Sequence, residues 1–203
     1  MTIEPLDFTP RGLLAAALAT LRRPRDGVAR VLNAQLPTAI LWTMLAAVVA
    51  ASVALGQGTL ILATGGAALG NPYLANPLVM FLIQIGLLVV MVYAIHFIGR
   101  LMGGQGVFED TLALVVWLQF VMACLQVVQT IALFVLPPVA DVIGIVGLVV
   151  FIWLLTHFIA TVHGFKSLGL VFGMILVSAF GITFAMSLIL TMMGVVAPGD
   201  FNV

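Results

Sequence analysis

Charge is what this sequence has least of. Only 7% of its 203 residues are Asp, Glu, Lys or Arg, where a soluble domain carries about 25%, and 64% are hydrophobic. Such a chain is expected in a bilayer. Seven basic and seven acidic residues cancel, so no global field draws nucleic acid or acidic substrates to it, and no nucleic-acid partner is expected. The single cysteine, Cys124, excludes an internal disulfide framework. With three histidines and neither Cys-x-x-Cys nor His-Glu-x-x-His, no metal site and no cofactor is expected. Carboxylates are missing from the middle of every apolar run: Glu109 and Asp110 stand at the start of one and Asp141 at the start of another, where negative charge complements a helix dipole. Gly-x-Ser-x-Gly, paired carboxylates in one pocket and a Cys/His set are absent too, so the chain is read as no enzyme.

What is there is long apolar runs. A helix needs about 20 such residues to cross roughly 30 Å of hydrocarbon. Five stretches meet that length: Thr38 to Leu55, Pro77 to Ile98, Thr111 to Val135, Val139 to Val162 and Ser167 to Gly194. Gly56 to Ala75 is apolar as well, but Gly56, Gly58, Gly65, Gly66, Gly70 and Asn71-Pro72 weaken a helix there, which predicts an interfacial or re-entrant connection. The basic residues check the count. Arg11, Arg22, Arg23, Arg25 and Arg30 precede the first span, Arg100 follows the second and Lys166 the fourth, so five spans put all seven on one side. By the positive-inside rule that side is the cytoplasm, and the carboxy terminus lies outside. The expected class is all-α: a polytopic five-helix bundle over residues 37–195, a cytoplasmic amphipathic segment over 1–36 and a short outer tail over 196–203.

The amino-terminal segment does not read as a cleavable signal, because Glu4 and Asp7 come first and Arg22-Arg23-Pro24-Arg25 follows the short apolar run. Thr9 before Pro10 reads as an N-cap, and Leu14, Leu18 and Leu21 recur at helical spacing. A second short helix is expected from Asp26, burying Val28, Val31, Leu32 and Gln35. Together they hold the five arginines against anionic lipid headgroups, at about 1 kcal/mol per residue near the surface.

Polar residues inside the spans are few. Gln84 and His96 lie in the second, Gln119, Gln126 and Gln129 in the third, and His157 in the fourth. The third-span glutamines share a helix face, which suits hydrogen bonds between helices or the lining of a pathway. His96, Gln119 and His157 fall in the cytoplasmic half, within geometric reach of one cluster or each with its own neighbour. Small residues recur every four positions at Ala46, Ala50 and Ala54, at Ala140 and Gly144, and at Gly169 and Gly173. Close packing inside the bundle accounts for them; self-association through Gly169 and Gly173 is the other reading.

The segment Gly103-Gly104-Gln105-Gly106-Val107-Phe108 lacks the Lys-Ser or Lys-Thr of a phosphate loop and reads as a tight hairpin between antiparallel spans. Leading into Thr111-Leu112-Ala113-Leu114-Val115-Val116-Trp117, and with Arg23-Pro24, Trp153 to His157 and the His163-Gly164-Phe165-Lys166-Ser167 turn, it resembles the bacterial branch of the Yip family. These are multi-pass membrane proteins named for interaction with Ypt/Rab GTPases. The resemblance covers about Arg22 to Gly194 and implies five transmembrane helices, a cytoplasmic amino terminus and a short outer carboxy terminus. It brings no catalytic residues. The Asp-Leu-x-Gly-Pro and Gly-Tyr-type motifs of eukaryotic members are missing here, so it implies no GTPase partner.

Two functions compete on the residues. One is a non-enzymatic protein of an inner membrane that organises lipid or partner membrane proteins, or copies of itself, through its arginine-bearing surface helix. The other is a transporter or lipid-moving protein with a polar path lined by the glutamines and histidines of spans two to four.

Overall fold

The computed structural model describes residues 6–65 and 76–192, and within them every regular element is an α-helix. Two short helices, α1 (Pro10–Arg22) and α2 (Pro24–Asn33), precede five long ones: α3 (Thr38–Thr64), α4 (Pro77–Leu101), α5 (Phe108–Val135), α6 (Pro137–His163) and α7 (Leu168–Met192). All five long helices contain a stretch long and apolar enough to cross a membrane. The chain is thus a polytopic helical bundle.

Proline starts several of these helices, where the missing N–H costs nothing. Pro10, Pro24, Pro77 and Pro137 each stand at a first helical position. Thr9 caps α1 by accepting from the Gly12 N–H at 3.1 Å, and Asn76 caps α4 by accepting from the Leu78 N–H at 2.9 Å. The second short helix starts at Pro24 rather than Asp26. It buries Val28 and Val31 as expected, but Gln35 lies beyond its end, exposed and at φ 44°.

The connection expected at Gly56 to Ala75 is corrected over its first half. Residues 56–64 continue α3 as regular helix, and the helix stops at Gly65 with φ 60°; residues 66–75 lie outside the described residues. The glycine penalty of about 1 kcal/mol per residue is outweighed at membrane depth by the several kcal/mol of each unsatisfied backbone group.

α5 is the hub, packing against α1, α2, α3, α4 and α6. Its residues Thr111 through Leu118 are buried without a break, so this stretch is enclosed on every face. Twenty-eight residues make α5 about 42 Å long, which leaves about 12 Å beyond a 30 Å hydrocarbon layer for protein to cover. α1 and α2 supply part of that cover at the amino-terminal end of α5, and Ala16, Ala17, Val28 and Val31 join the same core as Leu114, Leu118 and Phe158.

α3 faces α5 through Leu41, Leu45, Val49 and Val53. Its small residues lie on the other side: Ala46 is half-buried, and Ala50 and Ala54 are exposed. A leucine–valine ridge therefore replaces the expected alanine seam. α7 packs chiefly on α6, and of its described side chains only Val171 is buried. Gly173 has nothing within 4 Å of where a Cβ would be, and Gly169 only the Ser167 hydroxyl at 4.0 Å. Among the described residues, these two glycines bring no helix close.

Candidate functional site

Three places hold polar groups that apolar packing does not explain. The first is the collar that α1 and α2 form at the amino-terminal end of α5. Trp117, two and a half turns into α5, donates from Nε1 to Thr20 Oγ1 at 3.1 Å, and Thr20 in turn donates to the Ala16 carbonyl at 2.8 Å. Gly27 of α2 lies so close to Thr20 that any Cβ there would collide with its hydroxyl. α1 thus has a docked face of Ala16, Ala17 and Thr20. Its other face carries Leu14 and Leu18, 51% and 65% exposed, with Arg11 one turn before and Arg22 one turn after. Arg11, Arg22, Arg23 and Arg25 are exposed, Arg23 pairing with Asp26 at 3.9 Å, whereas Arg30 is half-buried and its Nε has no partner among the described residues.

The second place is a glycine cradle around His163. This residue is 2% exposed, and neither ring nitrogen has a hydrogen-bond partner among the described residues. α4 ends in a left-handed turn at Gly103, φ 86°, with the Gly104 N–H donating to the Gly99 carbonyl at 2.9 Å and the Gly103 N–H to Arg100 at 3.0 Å. α6 ends likewise at Gly164, φ 74°, with the Phe165 N–H donating to Ala160 at 2.9 Å. The Gln105 N–H donates to the His163 carbonyl at 3.2 Å and ties the two caps together. A Cβ on Gly99 would collide with the imidazole, and one on Gly104 would sit 2.7 Å from His163 Cβ. The ring lies parallel to that of Phe165, centroids 5.8 Å apart. His163 fills the space that side chains on Gly99, Gly104 and Gly106 would take, whereas Gly103 serves the left-handed turn. In sequence Gly103 to Gly106 reads as a hairpin and His163 as part of the turn into α7; the signal for the pair is that both turns are glycine-capped ends of neighbouring spans.

The third place is a pair of amides. Gln126 donates to the Ser52 carbonyl of α3 at 3.0 Å, and Gln129 to the Ala140 carbonyl of α6 at 3.3 Å. Thr59 and Thr130 meet beside them at 3.3 Å. Gly56 and Gly144 face these amides, Gly144 so closely that a Cβ would lie 2.9 Å from Gln129 Nε2. Small residues at Ala140 and Gly144 thus make room for a glutamine.

The remaining polar residues do not converge. His96 lies among Phe97 and Phe108, at ring distances of 5.4 and 5.7 Å, with its Nδ1 unpartnered among the described residues. His157 donates from Nδ1 to the Trp153 carbonyl of its own helix at 2.8 Å and packs on that indole at 4.9 Å. Gln119 is half-buried on α5. The structure brings Gln126 and Gln129 together, and leaves His96 and His157 each with its own neighbours.

No curated protein and no solved structure matches this chain. The model of the Yip1 domain matches residues 18–198. That span holds the last five residues of α1, α2 and all five long helices, together with both glycine-capped turns around His163. On that match the chain belongs to the Yip1 domain family, as a multi-pass helical membrane protein.

Proposed function

We propose that this protein is a non-enzymatic organiser of the bacterial inner membrane, its amino terminus cytoplasmic and its carboxy terminus outside, which gathers anionic lipid or a membrane-protein partner at its inner face. One observation carries the reading: α1 is pinned to the bundle through Thr20 and Trp117 while Leu14 and Leu18 stay exposed between Arg11 and Arg22. A helix of this kind lies in the headgroup region with its leucines in the acyl layer and its guanidinium groups at the phosphates. Because it is fixed to α5, what it binds is held at a set place and angle relative to the spans. Membership of the Yip1 domain family supports a membrane role without catalysis.

The transport reading has less support. Gln126 and Gln129 donate to backbone carbonyls of α3 and α6, which is how glutamines join helices, and the histidines do not extend them into a path.

The test spares the docked face. Removing residues 1–30 would strip Ala16, Ala17 and Val28 from the core, so loss of function after it would say nothing about α1's outer side. Leu14→Glu with Leu18→Glu changes only exposed positions. Native-nanodisc purification of wild type should retain anionic lipid or a reproducible protein partner, and the double variant should lose it while still inserting. The same retained set from both retires the proposal.

A further inference from the structure

At the end of the bundle opposite the arginines, two clefts meet at Gln126 and Gln129. One, about 200 Å³, lies between α3, α5 and the start of α6 and is walled by Thr59, Thr130 and Asp141. The other, about 310 Å³, continues between α5 and α6 past Gly144 to Leu148 and Phe151. From Asp141 to Phe151 is ten residues, about 15 Å along α6 toward the bilayer centre. Both clefts share the two glutamines; Thr59, Thr130 and Asp141 lie toward the end of the bundle, and Leu148 and Phe151 lie inward of them. This is the outline of a phospholipid, headgroup outward and acyl chain inward.

Asp141 identifies the headgroup. It is exposed, and it stands at the fifth position of α6, past the first turn in which a helix dipole favours a carboxylate. All seven Lys and Arg residues lie at positions 11–30, 100 and 166, so none is on this side of the bundle in the whole sequence. An exposed carboxylate at the membrane surface attracts a lipid ammonium, and this chain has no Lys or Arg there to compete for it. Each glutamine spends one amide N–H on a neighbouring carbonyl and has a second to offer. We infer that the joined clefts bind one phospholipid with a primary-amine headgroup. Its ammonium pairs with Asp141, its phosphate or ester oxygens accept from Gln126 and Gln129, and a chain lies along Leu148 and Phe151.

The full-length protein is reconstituted with phosphatidylethanolamine, phosphatidylglycerol and phosphatidylcholine in equal amounts, then released into detergent for native mass spectrometry. Wild type should retain phosphatidylethanolamine above the other two. Asp141→Asn should lower that preference about tenfold, the loss of one charge-assisted hydrogen bond. Gln129→Leu should weaken retention of all three lipids alike. Asp141→Lys should reverse the preference toward phosphatidylglycerol, a gain that an unfolded protein cannot show. Equal retention of the three lipids by wild type, an unchanged preference in Asp141→Asn, or a second copy of the chain cross-linked across Gly144 in place of lipid would overturn the inference.

Discussion

Trp117 and Thr20 are 97 residues apart and meet through one hydrogen bond of 3.1 Å, buried at both ends. The bond gives the one indole N–H of α5 its acceptor and at the same time sets the rotation of α1 about its own axis. That rotation decides which leucines of α1 are left outside.

Thr20→Val should therefore cost more than loss of one hydrogen bond. It leaves the Trp117 N–H buried without a partner, a penalty of about 1–3 kcal/mol. Trp117→Phe removes the donor, and Thr20 keeps its bond to the Ala16 carbonyl, so the double variant should be less destabilised than the sum of the two singles. Unfolding in detergent at graded denaturant measures all four corners of the cycle.

The His163 cradle gives an overpacking test. Gly99→Ala should destabilise by about 1–3 kcal/mol, because its methyl group would occupy the place of the imidazole. Combining it with His163→Ala should restore part of the loss. Thermal denaturation of both singles and the double variant checks this, and additive losses would mean that ring and glycine do not compete for the space.

Gln126→Leu and Gln129→Leu each remove one interhelical hydrogen bond. Bonds of this kind in membranes contribute about 0.6–2 kcal/mol, so each variant should remain folded with a small loss of stability. Steric trapping or denaturant unfolding in bicelles has the needed resolution. A loss near that of a large core truncation would show that the amides carry more than helix pairing.

Acid should loosen the start of α1. Asp7 accepts from the Thr9 N–H at 2.9 Å and from the Thr9 hydroxyl at 2.8 Å, and these bonds hold its carboxyl below the usual value of 3.8. A lowered folded-state value means that the contribution is complete above that usual value and is lost as pH falls through the lower one. Hydrogen exchange at Gly12 and Leu13, corrected for intrinsic rate, should rise relative to the rest of α1 as the pH drops through that range. In Asp7→Asn the rise should disappear.

The membrane class, the five spans and the starts at Pro10 and Pro77 were legible because each rests on local chemistry: apolar length, cap residues and proline; α6 starts at Pro137, two residues before the expected Val139. The end of the first span was not. Gly56 and Gly58 look like breakers when only propensity is counted, and the backbone's need for partners at membrane depth overrides them. The amide positions Gln126 and Gln129 were visible as one helix face, but not their acceptors, since Ser52 and Ala140 carbonyls carry no side-chain signature. His163 and Thr20 carry no signal in the sequence for a related reason. Each looks ordinary in sequence and matters only through groups far along the chain, Gly99 and Gly104 for one and Trp117 for the other.

By itself, then, the sequence determined that the chain is helical, that five stretches span and that every basic residue falls at one end, because hydropathy and charge act through the solvent each residue must face. Which faces of those helices meet was decided only in three dimensions. Lipid tails are as apolar as the core, so hydrophobicity does not distinguish the Leu45–Val49 ridge of α3 from its Ala46–Ala50 stripe, or α1's docked alanines from its exposed leucines. Shape and the few buried hydrogen bonds make that choice. Here they are the glycine space around His163, the amides of Gln126 and Gln129, and the bond from Trp117 to Thr20.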